Sequence, residues 1–390
     1  MVKMRKALLA LAAGTTLAAA PAHALTINLL GLDSFTSVEA QRGFTVAARY
    51  WESVLTNDAV VNFQVGYESL DPGVLGGTRS TLEQFVPIDV YKAVLGATGN
   101  SALDAQAYAN LAPTNADGSV TVTVPEYFNQ ITQTGVAATG TRTAPTGGDA
   151  ISSTIALSTA NVKALVGGNE DLIDADITFS TNFSFDFDPT DGIDTNSYDF
   201  IGVAIHEMGH ALGFLSGAQD FDYSVGGGFP VDEYWWGYSA DLFRYTAEGE
   251  LNWAFDQPAY FSLDGGATAY DGAYFSTGDL YGDGWQASHW KAPGNCNVDE
   301  FVGVMNPYTC NGLTDVVTGT DLALLDAIGW NINFDVLANP GYGADTKSIF
   351  LSLSGVPEPA SWGMMLVGFG GLGGALRLRR RQEAKAAAAA

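Results

Sequence analysis

Three residues in the run HEMGHALGF have the types and spacing of a catalytic metal site: His206, Glu207 and His210. On a helix, residues four apart share one face, so both imidazoles can bind one ion while Glu207 reaches a water molecule on that ion. An apolar run precedes His206, and Gly213 suits the end of a helix. The pattern predicts a buried helix that carries the site of a zinc hydrolase.

The third ligand must come from elsewhere in the chain, because a catalytic zinc ion usually has three protein ligands. Of the four histidines, His23 lies in a segment expected to be removed, which leaves His289, next to a tryptophan. Glu233 is the main rival, since a helix over residues 231–242 would supply it as thermolysin-like enzymes supply a glutamate. The other acidic candidates after the zinc helix are Asp220, Asp222 and Asp232. Three neutral imidazoles suit zinc without further charge, which favours His289.

The string HEMGHALGF resembles the zinc helix of the metzincin metallopeptidases. Position 216, where that family commonly has its third ligand, is a serine here. The order of His210, a long insertion, His289 and then the run VMNP instead resembles the leishmanolysin-like branch of the family. The resemblance implies that Met305 forms a Met-turn, a hydrophobic floor under the metal. It also implies that Tyr308 stabilises the oxyanion, although its offset from Met305 is one residue longer than in other metzincins.

The implied activity is that of a zinc metalloendopeptidase acting on polypeptide substrates. Glu207 would take a proton from a metal-activated water molecule as it attacks the peptide bond, and would deliver it to the leaving amine. The implied fold is α+β, a two-lobed metzincin-like arrangement with a mixed twisted sheet, a zinc helix and an irregular C-terminal lobe. The catalytic domain would span residues 25–345, with lobes at about 25–217 and 218–345 and the zinc ion between them.

Both ends of the chain carry export signals. Residues 1–24 combine basic residues, an apolar stretch and a small-residue cleavage site, which predicts a signal peptide removed by signal peptidase. After a linker at 346–356, residues 357–381 contain an apolar segment that is short for a transmembrane helix and ends in arginines. Residues 382–390 form a tail. The sorting segment opens with Pro357, Glu358 and Pro359.

This C-terminal pattern closely resembles the PEP-CTERM sorting signal of Gram-negative bacteria. The resemblance implies cleavage near the motif by an exosortase-type membrane enzyme, and a body that is secreted or attached to the cell surface. An ordinary single-pass anchor is the alternative. In both cases membrane contact is limited to the C-terminal segment, and the catalytic body faces outward.

The body of the chain is strongly acidic. Residues 25–356 contain nine basic and 41 acidic residues, a net charge near −32, which argues against nucleic acid and anionic lipid as partners. Such a balance favours bound calcium, although the best candidate loop does not have the spacing of an EF-hand. An alternative function is therefore a calcium-stabilised surface or matrix binding protein on a metallopeptidase scaffold. The loop's carboxylates are Asp186, Asp188, Asp191 and Asp194.

Cys296 and Cys310 are the only cysteines, and export makes a disulfide between them the expected state. The bridge would close a loop between His289 and the far side of Met305. Two free thiols are the alternative.

Sequence periodicity locates most of the elements that must position these residues. Asn196 and Ser197 are candidate N-caps of the zinc helix. Residues 218–288 predict loops and short strands, and Thr318 with Asp321 predicts a capped helix. The other expected elements are strands over 25–30, 59–67, 119–124 and 151–157, an edge strand over 175–187, and helices over 39–55 and 80–95. In metzincins the substrate pairs with the edge strand as an added strand.

Overall fold

A computed structural model describes residues 25–35 and 37–354 of the chain. The expected signal peptide at 1–24, the sorting segment at 357–381 and the tail at 382–390 lie outside the described residues. Within the two described ranges, no helix is both long and apolar enough to cross a membrane.

The described residues form ten α-helices and seventeen β-strands, which confirms the expected α+β class. The helices are α1 Val38–Val54, α2 Ile88–Thr98, α3 Ala102–Asn110, α4 Ala150–Ser153, α5 Thr159–Val166, α6 Phe200–Leu212, α7 Gly217–Tyr223, α8 Val231–Tyr234, α9 Gly319–Ala327 and α10 Thr346–Leu353. The strands are β1 Thr26–Leu30, β2 Val60–Glu68, β3 Gly76–Ser80, β4 Leu82–Pro87, β5 Val122–Asn129, β6 Thr134–Thr143, β7 Thr154–Ser158, β8 Ala175–Ser180, β9 Phe185–Asp186, β10 Tyr198–Asp199, β11 Gly237–Tyr238, β12 Arg244–Ala247, β13 Glu250–Asn252, β14 Ala259–Phe261, β15 Tyr274–Phe275, β16 Val316–Thr318 and β17 Gly343–Asp345.

A four-stranded sheet with the order β1-β2-β8-β3 supports the helix that carries the paired histidines. The first three of these strands are parallel, and β3 is antiparallel to β8 at the edge of the sheet. Val61, Phe63 and Val65 in β2 are all buried, which is the period-two pattern of a strand with one face on the core.

The two long helices α1 and α6 pack closely against each other over this sheet. A Cβ atom at Gly43 of α1 would lie 2.4 Å from the ring of Phe200 in α6, so only glycine allows this approach. The rings of Phe44, Phe179 and Phe200 have centroids 4.7–5.0 Å apart and join α1, β8 and α6. This apolar cluster fixes the first turn of α6.

The strand expected at 175–187 is present in part, but it is not at the edge of the sheet. Strand β8 begins there as predicted, but it lies inside the sheet, hydrogen-bonded to β2 on one side and to β3 on the other. The true edge is β3, with the sequence GGTRS, which has no apolar alternation by which a strand could be recognised. The expected helix at 80–95 is also partly wrong, because residues 82–87 form β4 and the helix begins only at Ile88.

The expected boundary between lobes at 217/218 does not coincide with a division of the structure. A six-stranded sheet with the order β15-β14-β12-β13-β5-β6 takes strands from both sides of it, and β13 pairs in parallel with β5. A three-stranded sheet, β11-β7-β4, does the same. The remaining sheets have two strands each, β10-β9 and β16-β17.

Residues 346–353, expected to belong to a linker, form helix α10 instead. Ile349 and Phe350 of this helix are buried, and the guanidinium of Arg42 lies 4.2 Å from the centroid of the Phe350 ring. The helix is therefore packed on α1 as part of the body.

Candidate metal centre

Asp199 and Gly213 cap the two ends of helix α6. Asp199 is its N-cap, and one of its carboxylate oxygens accepts hydrogen bonds from the amides of Ile201 and Gly202 at 3.1 and 3.0 Å. The candidates Asn196 and Ser197 do not cap it, because the short strand β10 comes between them and the helix. Gly213 ends the helix at a φ of 119°, as its position predicts.

The structure brings the three predicted histidines together. The Nε2 atoms of His206 and His210 are 3.1 Å apart, and the Nε2 atom of His289 lies 3.2 Å from the first and 3.1 Å from the second. Three imidazole nitrogens in a tetrahedral zinc site, each about 2.0–2.1 Å from the ion, are about 3.3 Å from one another. The donor set therefore fits a zinc ion in both chemistry and spacing.

Hydrogen bonds on the other side of each ring set the histidine tautomers. Nδ1 of His206 faces the carbonyl of Val304 at 2.7 Å, Nδ1 of His210 faces that of Phe214 at 2.8 Å, and Nδ1 of His289 faces that of Gln286 at 3.1 Å. A carbonyl oxygen can only accept, so each Nδ1 donates. Each neutral ring then presents the lone pair of Nε2 to the common centre.

Burial favours the neutral form that a metal ligand requires. It lowers the pKa of His206 to about 4 and, together with the neighbouring ring of His206, that of His210 to about 3. Burial and the two other rings lower the pKa of His289 well below its usual value. Protons therefore do not compete for these nitrogens near neutral pH.

The rival acidic ligands lie elsewhere. Among the residues that the structure describes, only the three histidines bring three ligand atoms of this kind within 4.8 Å of one another. Glu233 is exposed on α8, and Asp232 pairs with Arg142. Asp220 accepts from the hydroxyl of Tyr238, and Asp222 accepts from the amides of Leu280 and Tyr281.

Glu207 is held beside the triad by the edge strand. The hydroxyl of Thr78 in β3 donates to Glu207 Oε2 at 2.8 Å, and a Cβ atom at Gly76 would lie 3.0 Å from Oε1. The side chain is buried, and this burial raises the pKa of Glu207 to about 7 despite the hydrogen bond from Thr78. The glutamate thus faces the cleft from a fixed position next to His206.

Met305 lies against helix α6. A Cβ atom at Gly209 would be 2.5 Å from the Met305 sulfur, so the side chain packs on the helix between the two histidines. The amide of Trp290 donates to the Met305 carbonyl at 3.0 Å, which ties the residue after His289 to the turn. Met305 thus lies close to the three histidines, and its role as a Met-turn stays a prediction.

Tyr308 lines the cleft, but its hydroxyl donates to the carbonyl of Asn295 at 2.9 Å, and its ring packs on Trp285. The hydroxyl is therefore engaged away from the histidines. The expected disulfide is present between Cys296 and Cys310, with Cα atoms 6.0 Å apart.

The four aspartates of the expected calcium loop do not converge on a common centre. Asp186 accepts hydrogen bonds from the amides of Asp188 and Asp194, and Asp188 accepts from the amide and hydroxyl of Thr190. These carboxylates stabilise the loop, and Asp191 lies in its short 3-10 turn. Calcium binding there stays a prediction that no geometric cluster supports.

The triad opens into a cleft of about 610 Å³. Its lining includes the segment from Gly73 to Thr78, which contains most of β3, and residues 303, 304 and 306–309. Val203 and Glu207 contribute from α6.

Sequence reasoning missed the residue that organises the Met-turn side. Asp321 was recognised as a helix cap, and it does form a capping box with Thr318. Its carboxylate also binds Trp290, Val304 and Met305, which are distant in sequence. Nothing in the local pattern around Asp321 indicates these partners.

The family of the PEP-CTERM protein-sorting motif matches residues 355–381 of the chain. This motif is recognised by exosortase processing and is typical of exported, C-terminally sorted proteins of Gram-negative bacteria. No curated protein and no solved structure matches the chain.

Proposed function

We propose that this chain is a secreted or surface-attached zinc metalloendopeptidase with a metzincin-like catalytic domain. The observation that carries the proposal is the arrangement of His206, His210 and His289, whose Nε2 atoms lie 3.1–3.2 Å apart with every Nδ1 engaged by a carbonyl. Buried imidazoles without a metal would leave three acceptor nitrogens facing one another without donors. A cation bound between the three nitrogens would accept their lone pairs.

A zinc ion at this site would polarise a substrate carbonyl and acidify a water molecule. Glu207 is the one carboxylate that flanks the triad on its own helix, and it is held by Thr78. We assign it the role of general base toward the attacking water, followed by proton delivery to the leaving amine. The three histidines would hold the ion, and the Nδ1 hydrogen bonds keep their rings in place.

The edge strand supports a polypeptide as the substrate. β3 is hydrogen-bonded to β8 on one side only, and its other side borders the cleft. An extended peptide can pair with the free backbone groups of β3 as an additional strand, which would place a peptide bond next to Glu207. A cleft that is open along a strand suits cleavage within a chain.

The sorting motif supports action outside the cytoplasm. Its match at residues 355–381 follows directly on helix α10, so the catalytic body would be exported before processing releases or attaches it. The disulfide between Cys296 and Cys310 agrees with an oxidising compartment.

The test compares the purified, processed protein with Glu207→Gln. We expect the wild type to bind about one zinc ion per chain and to cleave casein in a chelator-sensitive manner, and Glu207→Gln to keep the ion and lose cleavage. Zinc-loaded wild type that cleaves neither casein nor unfolded polypeptides would overturn the assignment.

A further inference from the structure

A second group of polar side chains lies in the same cleft, one turn of α6 before the first metal ligand. The carboxyl of Asp315 packs against Gly202, where a Cβ atom would be 2.2 Å from its Oδ2 atom. Gly202 precedes His206 by four residues, a rise of about 6 Å along the helix. A side chain next to a peptide bond at the histidines is therefore within reach of this carboxyl.

Asp315 Oδ2 and the amide oxygen of Asn306 each lack a hydrogen-bond donor among the described residues. Thr309 donates its hydroxyl hydrogen to Asp315 Oδ1 at 2.6 Å, which leaves Asp315 Oδ2 without a donor among the described residues. Asn306 is 4% exposed and lines the cleft, yet neither atom of its amide has a hydrogen-bond partner. A buried amide without partners is costly, so the site is incomplete until something fills it.

Two carboxyl groups lie side by side at this site. Asp199 lies next to Asp315 and accepts a hydrogen bond from its amide at 3.1 Å. Neither carboxyl is in an ion pair with another described residue. Burial and the nearby Asp199 carboxyl raise the pKa of Asp315 well above its usual value, and a positive charge placed beside it would favour the ionised form.

We propose that Asp315, Asn306 and Thr309 form a specificity pocket that binds the lysine or arginine side chain of a substrate residue flanking the scissile bond. An ammonium or guanidinium group offers several donors, which suit the free oxygens of Asp315 and Asn306. The net charge of the body, near −32, draws cationic chains toward the cleft. The inference rests on the proposed function, because it names the substrates of that site.

The test uses pairs of peptides that differ only in lysine or norleucine at a position next to the scissile bond, on either side. Norleucine keeps the aliphatic stem and removes the ammonium group. We expect wild type to prefer lysine by at least about tenfold in kcat/KM, since hydrogen bonds to charged groups in buried sites have effects of this size. Asp315→Asn keeps the acceptor for Thr309 and is expected to remove most of the preference, and Asn306→Leu to reduce it.

The matched control is Glu250→Gln, which removes one exposed carboxylate from β13 outside the cleft and is expected to keep the preference. Binding of both peptides to the zinc-loaded Glu207→Gln protein, with and without Asp315→Asn, gives a second measurement. Cleavage without a lysine preference, or a preference that Asp315→Asn leaves intact, overturns the pocket. A binding preference lost in Asp315→Asn, with no cleavage of any peptide by wild type, overturns the peptidase assignment and supports the pocket.

Discussion

Asp321 accepts a hydrogen bond from the indole N–H of Trp290 at 2.8 Å, and the same carboxylate accepts from the amides of Val304 and Met305 at 2.9 and 3.2 Å. The carbonyl of Val304 holds the ring of His206, and Trp290 follows the third histidine. One buried carboxylate thus connects the surroundings of two candidate metal ligands, His206 and His289, without contacting either ring.

Asp321→Ala is expected to weaken zinc binding by about 10- to 100-fold, the usual effect of losing an outer partner of a metal site. The physical reason is that Trp290 and the turn at Val304 lose their common acceptor. Asp321→Asn, which keeps one acceptor oxygen, should fall between wild type and Asp321→Ala. Zinc affinity is measured by competition with a chelator at a temperature where each variant is folded. A folded alanine variant with wild-type affinity would refute the positioning role.

Gly209→Ala tests the contact between helix α6 and Met305. Alanine improves helix propensity by about 1 kcal/mol, but its Cβ would meet the Met305 sulfur at 2.5 Å. Overpacking costs about 1–3 kcal/mol, so we expect a net loss in the free energy of unfolding, measured by urea denaturation.

The matched control for this contact is Gly209→Ala in a Met305→Ala background. The sulfur is then absent, and the same change should stabilise the protein by up to about 1 kcal/mol through helix propensity. If Gly209→Ala changed the free energy of unfolding in the same direction in both backgrounds, helix α6 would not pack on Met305 as described.

The cluster of three histidines could be predicted because most of its information is local. His206, Glu207 and His210 are set by the period of one helix, and His289 remained as the only other histidine of the body. The pocket around Asp315 was not predictable, since Asp315 lies in a loop and meets Gly202 only through the fold. Long-range contacts of this kind leave no periodic trace in the sequence.

The same distinction between local and long-range information explains which helices and strands could be predicted. Helix α1 and strands β1 and β2 follow clear apolar periods and were placed to within one or two residues. The edge strand β3 consists of glycine and polar residues, and its identity depends on pairing with β8. The sequence does not distinguish helix α10 from a linker, because the burial of this helix depends on contacts with α1.

The stability of the protein should depend on pH through Asp326. This side chain is buried in α9, and burial with the nearby Asp104 carboxyl raises its pKa to about 8. In the unfolded chain an aspartate titrates near 4. Between these values the folded protein keeps a proton that the unfolded chain releases, so the free energy of unfolding falls as pH rises.

Asp326→Asn removes this titration and should reduce the loss of stability between about pH 5 and pH 8. The amide oxygen of the asparagine can replace Asp326 Oδ2, which accepts from the Ser101 hydroxyl at 3.1 Å. Urea midpoints of wild type and variant at both pH values provide the measurement, and Asp89→Asn, an exposed change on α2, is the control. Equal pH slopes in wild type and Asp326→Asn would contradict the assignment.

Reduction of the disulfide should destabilise the Met-turn side of the cleft. Cys296 and Cys310 are 14 residues apart, and a disulfide that closes a loop of this length contributes about 3 kcal/mol to the free energy of unfolding. We expect Cys296→Ser with Cys310→Ser to lower the melting temperature by several degrees. An unchanged melting temperature, measured by calorimetry with the zinc content held equal, would show that the bridge adds no stability.

The most direct test of the central claim is the zinc content of His289→Ala beside that of Glu233→Ala, both measured by metal analysis after dialysis at neutral pH. The converging imidazoles predict that His289→Ala loses bound zinc and that Glu233→Ala retains about one ion per chain. Retention by His289→Ala together with loss by Glu233→Ala would contradict a three-histidine site.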